Sequence, residues 1–516
     1  MKKLILLFIL INAIIILSAQ EKIPMDHSVY ESWKELKNIQ ISDNGQILVF
    51  EINPQIGDGN LYIQRIKSNE EFIIPRAYDA KISSDARFIV GKIKPQLEIT
   101  RAAKKEKKAK DAQPKDSLFI YDVENKEIEK YEKIRSFMLP EKSSNWIVFH
   151  TAYKKPEADN ESDKDKDDNK KIDKKFSKIA SKNKLADLTI INPESGKSYS
   201  YENIASYFLD ENGQSIIFHQ FARDSIPKSV VYSFSTKDEN LEIIFEGEGM
   251  VSSLNSDIEG KQSAFLFTND TLRVSGMDLY YWTPGITNSI KLIDSLGIGL
   301  QESWGVNKYG KIYFSKSGDR LYFGSSEIPV KEPEDTLLKD EKSSVDVWSW
   351  HDEYLQPMQL KNLKKEKERS YLSYYSILDK RFVQLADPLV KDVTTMHKGD
   401  GNMAMGLAGD HYGKLLSWEG FRYKDVYTVD LTTGEKEKVL EKLSSTIHLS
   451  AFGNYILFYE REDSTWYSYN IKTKTTVNLS SSTGLNFYNE ENDIPQLPRS
   501  YGYIGFTKDD EFVLIY

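Results

Sequence analysis

Ile41-Ser42-Asp43-Asn44-Gly45-Gln46-Ile47-Leu48-Val49-Phe50 places a polar turn of Ser, Asp, Asn and Gly directly before an apolar strand. Leu209-Asp210-Glu211-Asn212-Gly213-Gln214-Ser215-Ile216-Ile217-Phe218 repeats it closely, and Leu449-Ser450-Ala451-Phe452-Gly453-Asn454-Tyr455-Ile456-Leu457-Phe458 more loosely. Weaker echoes lie at 82–90, 140–149, 254–267, 315–323 and 507–516. A fixed unit recurring along a chain decides the architecture before any local reading does.

The strands launched by these turns define the unit. Val426-Tyr427-Thr428-Val429-Asp430-Leu431 and Trp466-Tyr467-Ser468-Tyr469-Asn470-Ile471 alternate in period two, so Tyr427, Val429 and Leu431 share a face, as do Tyr467, Tyr469 and Ile471. Turns at Thr432-Thr433-Gly434-Glu435 and Lys472-Thr473-Lys474 lead to return strands, and the same hairpin pattern spans 118–128, 188–199 and 279–292. The repeat measures 41 residues from Gly45 to Ala86, 47 from Gly213 to Gly260 and 40 from Asp430 to Asn470. That period, with about four short antiparallel strands per unit, predicts propeller blades, each covering the apolar face of the next. The expected fold is all-β, a β-propeller of about eight four-stranded blades starting near Ile39, Lys81, Phe137, Tyr207, Val251, Trp304, Met396 and Ile447, with an incomplete last blade from Tyr503.

Residues 1–20 read as a secretory signal: Lys2 and Lys3, the apolar run from Leu4 to Leu17 interrupted by Asn12, then Ser18 and Ala19. The apolar run, at 14 residues, is short of the roughly 20 that span a bilayer. Export to the periplasm or medium, without a stable membrane anchor after cleavage, is the expectation. The chain has no Cys, so an exported fold must rest on packing alone. Its formal charge of −9 becomes −11 without Lys2 and Lys3 (67 basic residues against 78 acidic), which disfavours nucleic acid as a partner.

Residues 21–38 read as a helical lead-in, with Asp26 as the cap and Val29, Trp33 and Leu36 on one face. The propeller then occupies 39–516, carrying charged inserts at about 94–115, 154–184 and 353–369. The first contains the helix-prone basic run Arg101 to Lys110, which reads as a solvated loop because no aromatic residue interleaves it. In the second, Asp163 to Asn169 alternates carboxylates as a calcium loop does, but Asp168 and Lys174 stand where Gly and Glu are required, so it reads as a loop of mixed charge. The third reads as a helix within a blade.

No G-x-S-x-G, H-E-x-x-H or G-x-x-x-x-G-K-[ST] occurs, and His27, His150, His219, His351, His397, His411 and His448 are scattered rather than set at ligand spacing. Gly399, Gly401, Gly406, Gly409 and Gly413 lack the strand and helix context of a dinucleotide site and read as tight turns between blade strands. No residue is nominated as catalytic, cofactor-binding or metal-ligating, and no cofactor is expected.

Met25-Asp26-His27-Ser28-Val29-Tyr30-Glu31-Ser32-Trp33, running into the Ile41 to Phe50 stretch, resembles the start of exported bacterial peptidases of the prolyl oligopeptidase family. Asp346-Val347-Trp348-Ser349-Trp350 with Tyr354-Leu355-Gln356-Pro357 resembles a second segment of those proteins. In that family a propeller precedes an α/β-hydrolase domain carrying Ser, Asp and His. The resemblance implies a non-catalytic propeller that gates peptide access to a hydrolase domain missing from this chain. The expected partners are therefore peptides and that domain. Phe512 to Tyr516 reads as a strand begun in an unfinished blade, hence a truncated chain. The alternative is a free-standing exported propeller that binds a protein or peptide.

Overall fold

The computed structural model describes residues 27–31, 33–143, 146–152, 183–222, 226–269, 276–294, 300–328, 341, 343, 345–507 and 509–516. The signal-like segment, Asp26 and the calcium-loop-like run with Lys174 lie outside them. The chain divides into two compact units, Met1–Arg135 and Ser136–Tyr516.

The first unit holds two four-stranded antiparallel meanders. Blade one runs through Lys34–Ile41, Ile47–Pro54, Asn60–Arg65 and Glu70–Pro75; blade two through Ala77–Ile82, Phe88–Ile93, Ser117–Asp122 and Glu127–Tyr131. Alternate side chains leave each strand on opposite faces. Ile47, Val49, Ile63 and Ile74 therefore meet Ala77, Ile89, Phe119 and Tyr121 in one buried layer between the two sheets.

In the second unit, blades three and four share one strand of 13 residues, Lys197–Leu209. Its first half pairs back with Ala186–Asn192 and its second half forward with Ser215–Ala222. Asn203, at φ 60°, lies between the halves. Blade five runs from Met250–Ser256 to Ile290–Ile293, blade six from Trp304–Val306 to Arg381–Gln384, and blade seven from Asp392–Thr395 to Lys436–Leu443. Blade eight runs from Ile447–Leu449 to Thr475–Asn478, and Tyr503–Phe506 pairs with Val513–Ile515 in a final two-stranded sheet. The fold is all-β and built of propeller blades. Every expected blade start lies within the first strand of its blade, save Met396, one residue past Thr395.

The strands are continuously apolar because both faces are covered. In Ser263–Thr268 of blade five, Ala264 and Leu266 pack on Val306, Leu321 and Phe323 of blade six. Phe265 and Phe267 pack on Val231, Ile244 and Phe245 of blade four. Further buried layers join blades three and four, six and seven, seven and eight, and eight and the final sheet.

Seven copies of the repeated turn share one geometry. A short side chain at its first position accepts a hydrogen bond from the backbone N–H five residues on: Ser42 from Ile47 (2.9 Å), Ser83 from Phe88 (2.9 Å), Asp210 from Ser215 (2.6 Å) and Asp257 from Gln262 (3.1 Å). Ser315 does so from Arg320 (3.2 Å), Ser450 from Tyr455 (3.0 Å) and Thr507 from Phe512 (3.0 Å). The fourth position has positive φ in all of them: Gly45, Ala86, Gly213, Gly260, Gly318, Gly453 and Asp510. The side chain ties down an N–H before the ladder begins, and the left-handed fourth residue reverses the chain into the strand.

Three sequence expectations change. Among the described residues the lead-in helix, α1, covers His27–Tyr30; Leu36 belongs to the first strand, where it pairs with Ile52. The ladder with blade one's second strand outcompetes the helical spacing. Gly406 is not a turn residue but lies in the strand Met403–Ala408, where a Cβ would come within 2.5 Å of Val390 Cγ1. The first insert is not a loop from Arg101: helix α2 covers Leu97–Lys105, because Ala103 finds a buried position while its basic neighbours stay in solvent, and the third insert carries α3 over Gln356–Lys367 as expected.

Candidate functional site

Helix α3 starts with a proline in its first turn and buries none of its residues, so it stands as one wall of a cavity rather than as core. The opposite wall is the segment from Ala408 to Gly413 with the short helix α4, Leu415–Glu419. The cavity holds about 760 Å³. Gly413 allows the walls to approach: a Cβ there would sit 2.5 Å from the Glu353 carbonyl.

A polar chain crosses the cavity. Tyr354 Oη donates to Asp410 Oδ1 (3.0 Å), Lys391 pairs with Asp410 Oδ2, and Arg369 Nε donates to Glu366 Oε2 (2.7 Å). Burial, then the Asp410 charge, pushes the Tyr354 phenol up to about 12. Burial alone would raise the Asp410 carboxyl, but Lys391 and Tyr354 outweigh it and hold the group below the usual carboxylate range. Behind Asp410, Tyr412 Oη donates to the buried Asp425 Oδ1 (2.7 Å), while His411 Nε2 lies 3.2 Å from Asp425 Oδ2. Burial opposes ionisation of Asp425, and Tyr412, the Lys442 N–H and Lys438 more than reverse it. These carboxylates are ionised and engaged, so they brace the walls instead of acting as bases. Glu353 differs: its Oε2 is buried and has no hydrogen-bond partner. It is an acceptor available to a ligand N–H.

A serine and a histidine also meet elsewhere. His219 Nε2 lies 2.9 Å from Ser229 Oγ, the spacing of a nucleophile and its base. The pair is nevertheless fully buried in blade four, and Ser229 directs its proton to the Gly249 carbonyl at 2.8 Å. His219 must then donate to Ser229, and burial lowers its pKa to about 3. A neutral donor sealed from solvent is a structural pair, not a catalytic one.

Among the described residues, no group of three or more His, Asp or Glu side chains is arranged to hold a metal. The sequence nominated no site residues, and the cavity residues escaped it because Tyr354 comes from the insert of blade six while Lys391 and Asp410 come from the entry and an inner connection of blade seven. The quoted Tyr354 to Pro357 segment and the glycines at 409 and 413 were the available signals.

No family model matches this chain, and no curated protein matches it. Solved structures do resemble it. The propeller domain of the Trilobed protease from Pyrococcus furiosus is 12% identical, with a TM-score of 0.33, over 80% of this chain and 99% of that one. Porphyromonas gingivalis dipeptidyl peptidase 4 is 10% identical, with a TM-score of 0.40, over 83% and 57%. For Pyrococcus horikoshii acylaminoacyl peptidase the identity is 12%, the TM-score 0.33 and the coverage 86% and 59%, so this chain spans under two thirds of that peptidase. At such identities nothing about activity transfers, and the fold assignment stands on the sheets themselves.

Proposed function

We propose that this chain is a peptide-binding propeller without catalytic residues of its own, admitting peptides to the hydrolase domain of an exported serine peptidase of the prolyl oligopeptidase type. The observation that carries the reading is the cavity beside α3. It offers the unpartnered Glu353 Oε2 and the aromatic rings of Phe421 and Tyr423, while Asp410 and Glu366 are already paired. A cleft of mixed lining, whose other carboxylates are engaged and which keeps one free acceptor beside aromatic rings, suits a peptide backbone N–H or ammonium.

A covering domain is supported by the ridge next to it. Trp348 and Trp350, from the segment that resembles the family, are 64% and 80% exposed beside Val345, Val347 and Leu355. Trp418 on α4 is 87% exposed, and Lys414 Nζ lies 5.8 Å over the Trp350 ring. Large apolar side chains exposed together in one segment support an interaction face there.

Titrating fluorescent peptides of several residues into the full chain tests the reading. Saturable binding without cleavage is expected, and Glu353→Gln should weaken it about tenfold, the effect of one hydrogen bond to a charged acceptor. Cleavage by the chain alone, or no saturable binding, overturns the proposal.

A further inference from the structure

We infer that a second cavity, framed by blades seven and eight and the segment after them, is an oxyanion site built on Arg422, Arg461 and Arg499. It holds about 480 Å³ and is lined also by Phe421, Tyr459 and Tyr501. This inference does not depend on the peptide-binding reading of the α3 cavity.

Three arginines line this cavity, Arg461 and Arg499 near enough to repel each other and Arg422 on the wall shared with the α3 cavity. Among the described residues, none of the three makes an ion pair or a side-chain hydrogen bond, and Arg461 Nε is buried without a hydrogen-bond partner. The nearby carboxylates are turned elsewhere. Glu419 accepts from Tyr423 Oη, and Asp463 accepts from the Thr465 N–H at 3.1 Å and from Tyr467 Oη. Glu462 sits near Tyr423 without pairing with an arginine. Burial, then the positive charge of Arg499, destabilises the Arg461 cation. An anion bound between them would offset the burial of Arg461 and its repulsion with Arg499.

The surroundings fit an oxyanion in particular. The Arg461 guanidinium lies 4.9 Å over the Phe421 ring, which fixes its plane and leaves its fork open to a planar or tetrahedral anion. Tyr501 Oη accepts the Glu490 N–H at 3.1 Å, so its own proton is available to the ligand. Ser444 and Ser500 add hydroxyl donors to the lining. Phosphate and carboxylate share this chemistry.

Calorimetric titration of the full chain at low ionic strength separates the two sources. Its probes are inorganic phosphate, phenylacetate as the free acid, and phenylacetamide as its amide, the last two too small to offer a peptide backbone to the α3 cavity. Saturable binding of phosphate alone assigns a phosphate site, and binding of the free acid but not the amide assigns a carboxylate site. Arg422→Ala combined with Arg499→Ala removes two exposed side chains and should weaken binding at least tenfold; Arg461→Lys, which keeps the charge and loses the fork, should also weaken it. Equal binding of amide and free acid, no saturable heat with any probe, or wild-type affinity in the double variant overturns the inference.

Discussion

His219 is buried as a neutral hydrogen-bond donor, and this ties the stability of blade four to pH. Its native pKa of about 3 lies below the ordinary 6.5, because burial disfavours the cation. Above pH 6.5 both folded and unfolded states are neutral and nothing is lost. As pH falls below that value the unfolded state takes up a proton that the native state refuses, so stability declines until about pH 3. At pH 5 the decline amounts to about 2 kcal/mol. Asp210 opposes it: burial, against three backbone N–H donors, raises its carboxyl to about 6, so the native state gains protons and stability as pH falls from there towards the ordinary 3.8. His219→Leu removes one of the two opposing slopes. On going from about pH 7 to about pH 5, the urea midpoint of this variant should improve relative to wild type by the equivalent of about 2 kcal/mol. Parallel pH profiles for the two proteins would falsify the assignment of a buried neutral histidine.

At the scale of the element, the repeated turn explains both what was readable and what was not. Its first position must be a short acceptor and its fourth must tolerate positive φ, so Ser42 with Gly45 and Asp210 with Gly213 stand out in the bare sequence. Ala86 and Asp510 occupy the same left-handed position at φ 62° and 61°, which is why those copies looked weak. The turn entering blade seven departs from the pattern, with Lys398 at φ 51° and Gly399 at 89°. The cavities were opaque because they join residues from different blades. Yet Arg422, Arg461 and Arg499 recur at 39 and 38 residues, close to the blade period, so a search for chemistry at that spacing would have found them. The turns also stack on one another. A Cβ on Gly260 would meet Asp210 Oδ2 at 2.8 Å and Ser215 Cβ at 2.9 Å, whereas one on Gly484, at φ +70°, meets nothing within 4 Å. Gly484→Ala should cost about 1 kcal/mol, the left-handed penalty alone, and Gly260→Ala at least twice that. Urea unfolding of both variants decides the matter, and equal costs would show that the turn glycines serve conformation only.

Across the second unit, each buried layer joins one blade to the next, so cohesion there is quasi-one-dimensional. The ion pair of Lys398 with Glu211, at 2.7 Å, links turns 187 residues apart, but the partners are 57% and 26% exposed and such a pair contributes about 0–1 kcal/mol. Packing between neighbours must therefore dominate. Phe265 and Leu266 are adjacent in one strand, both fully buried, and face different layers: Phe265 the layer with blade four, Leu266 the layer with blade six. Truncating either to Ala should cost about 2–5 kcal/mol. Where the loss appears is the informative part. Leu266→Ala should release amide hydrogens for exchange in Arg320–Glu327 of blade six and spare Lys228–Ser235 of blade four, and Phe265→Ala should do the reverse. If both variants expose the same amides to the same extent, the unit unfolds as a single cooperative block. Nearest-neighbour cohesion between blades would then be wrong, whatever the two truncations cost.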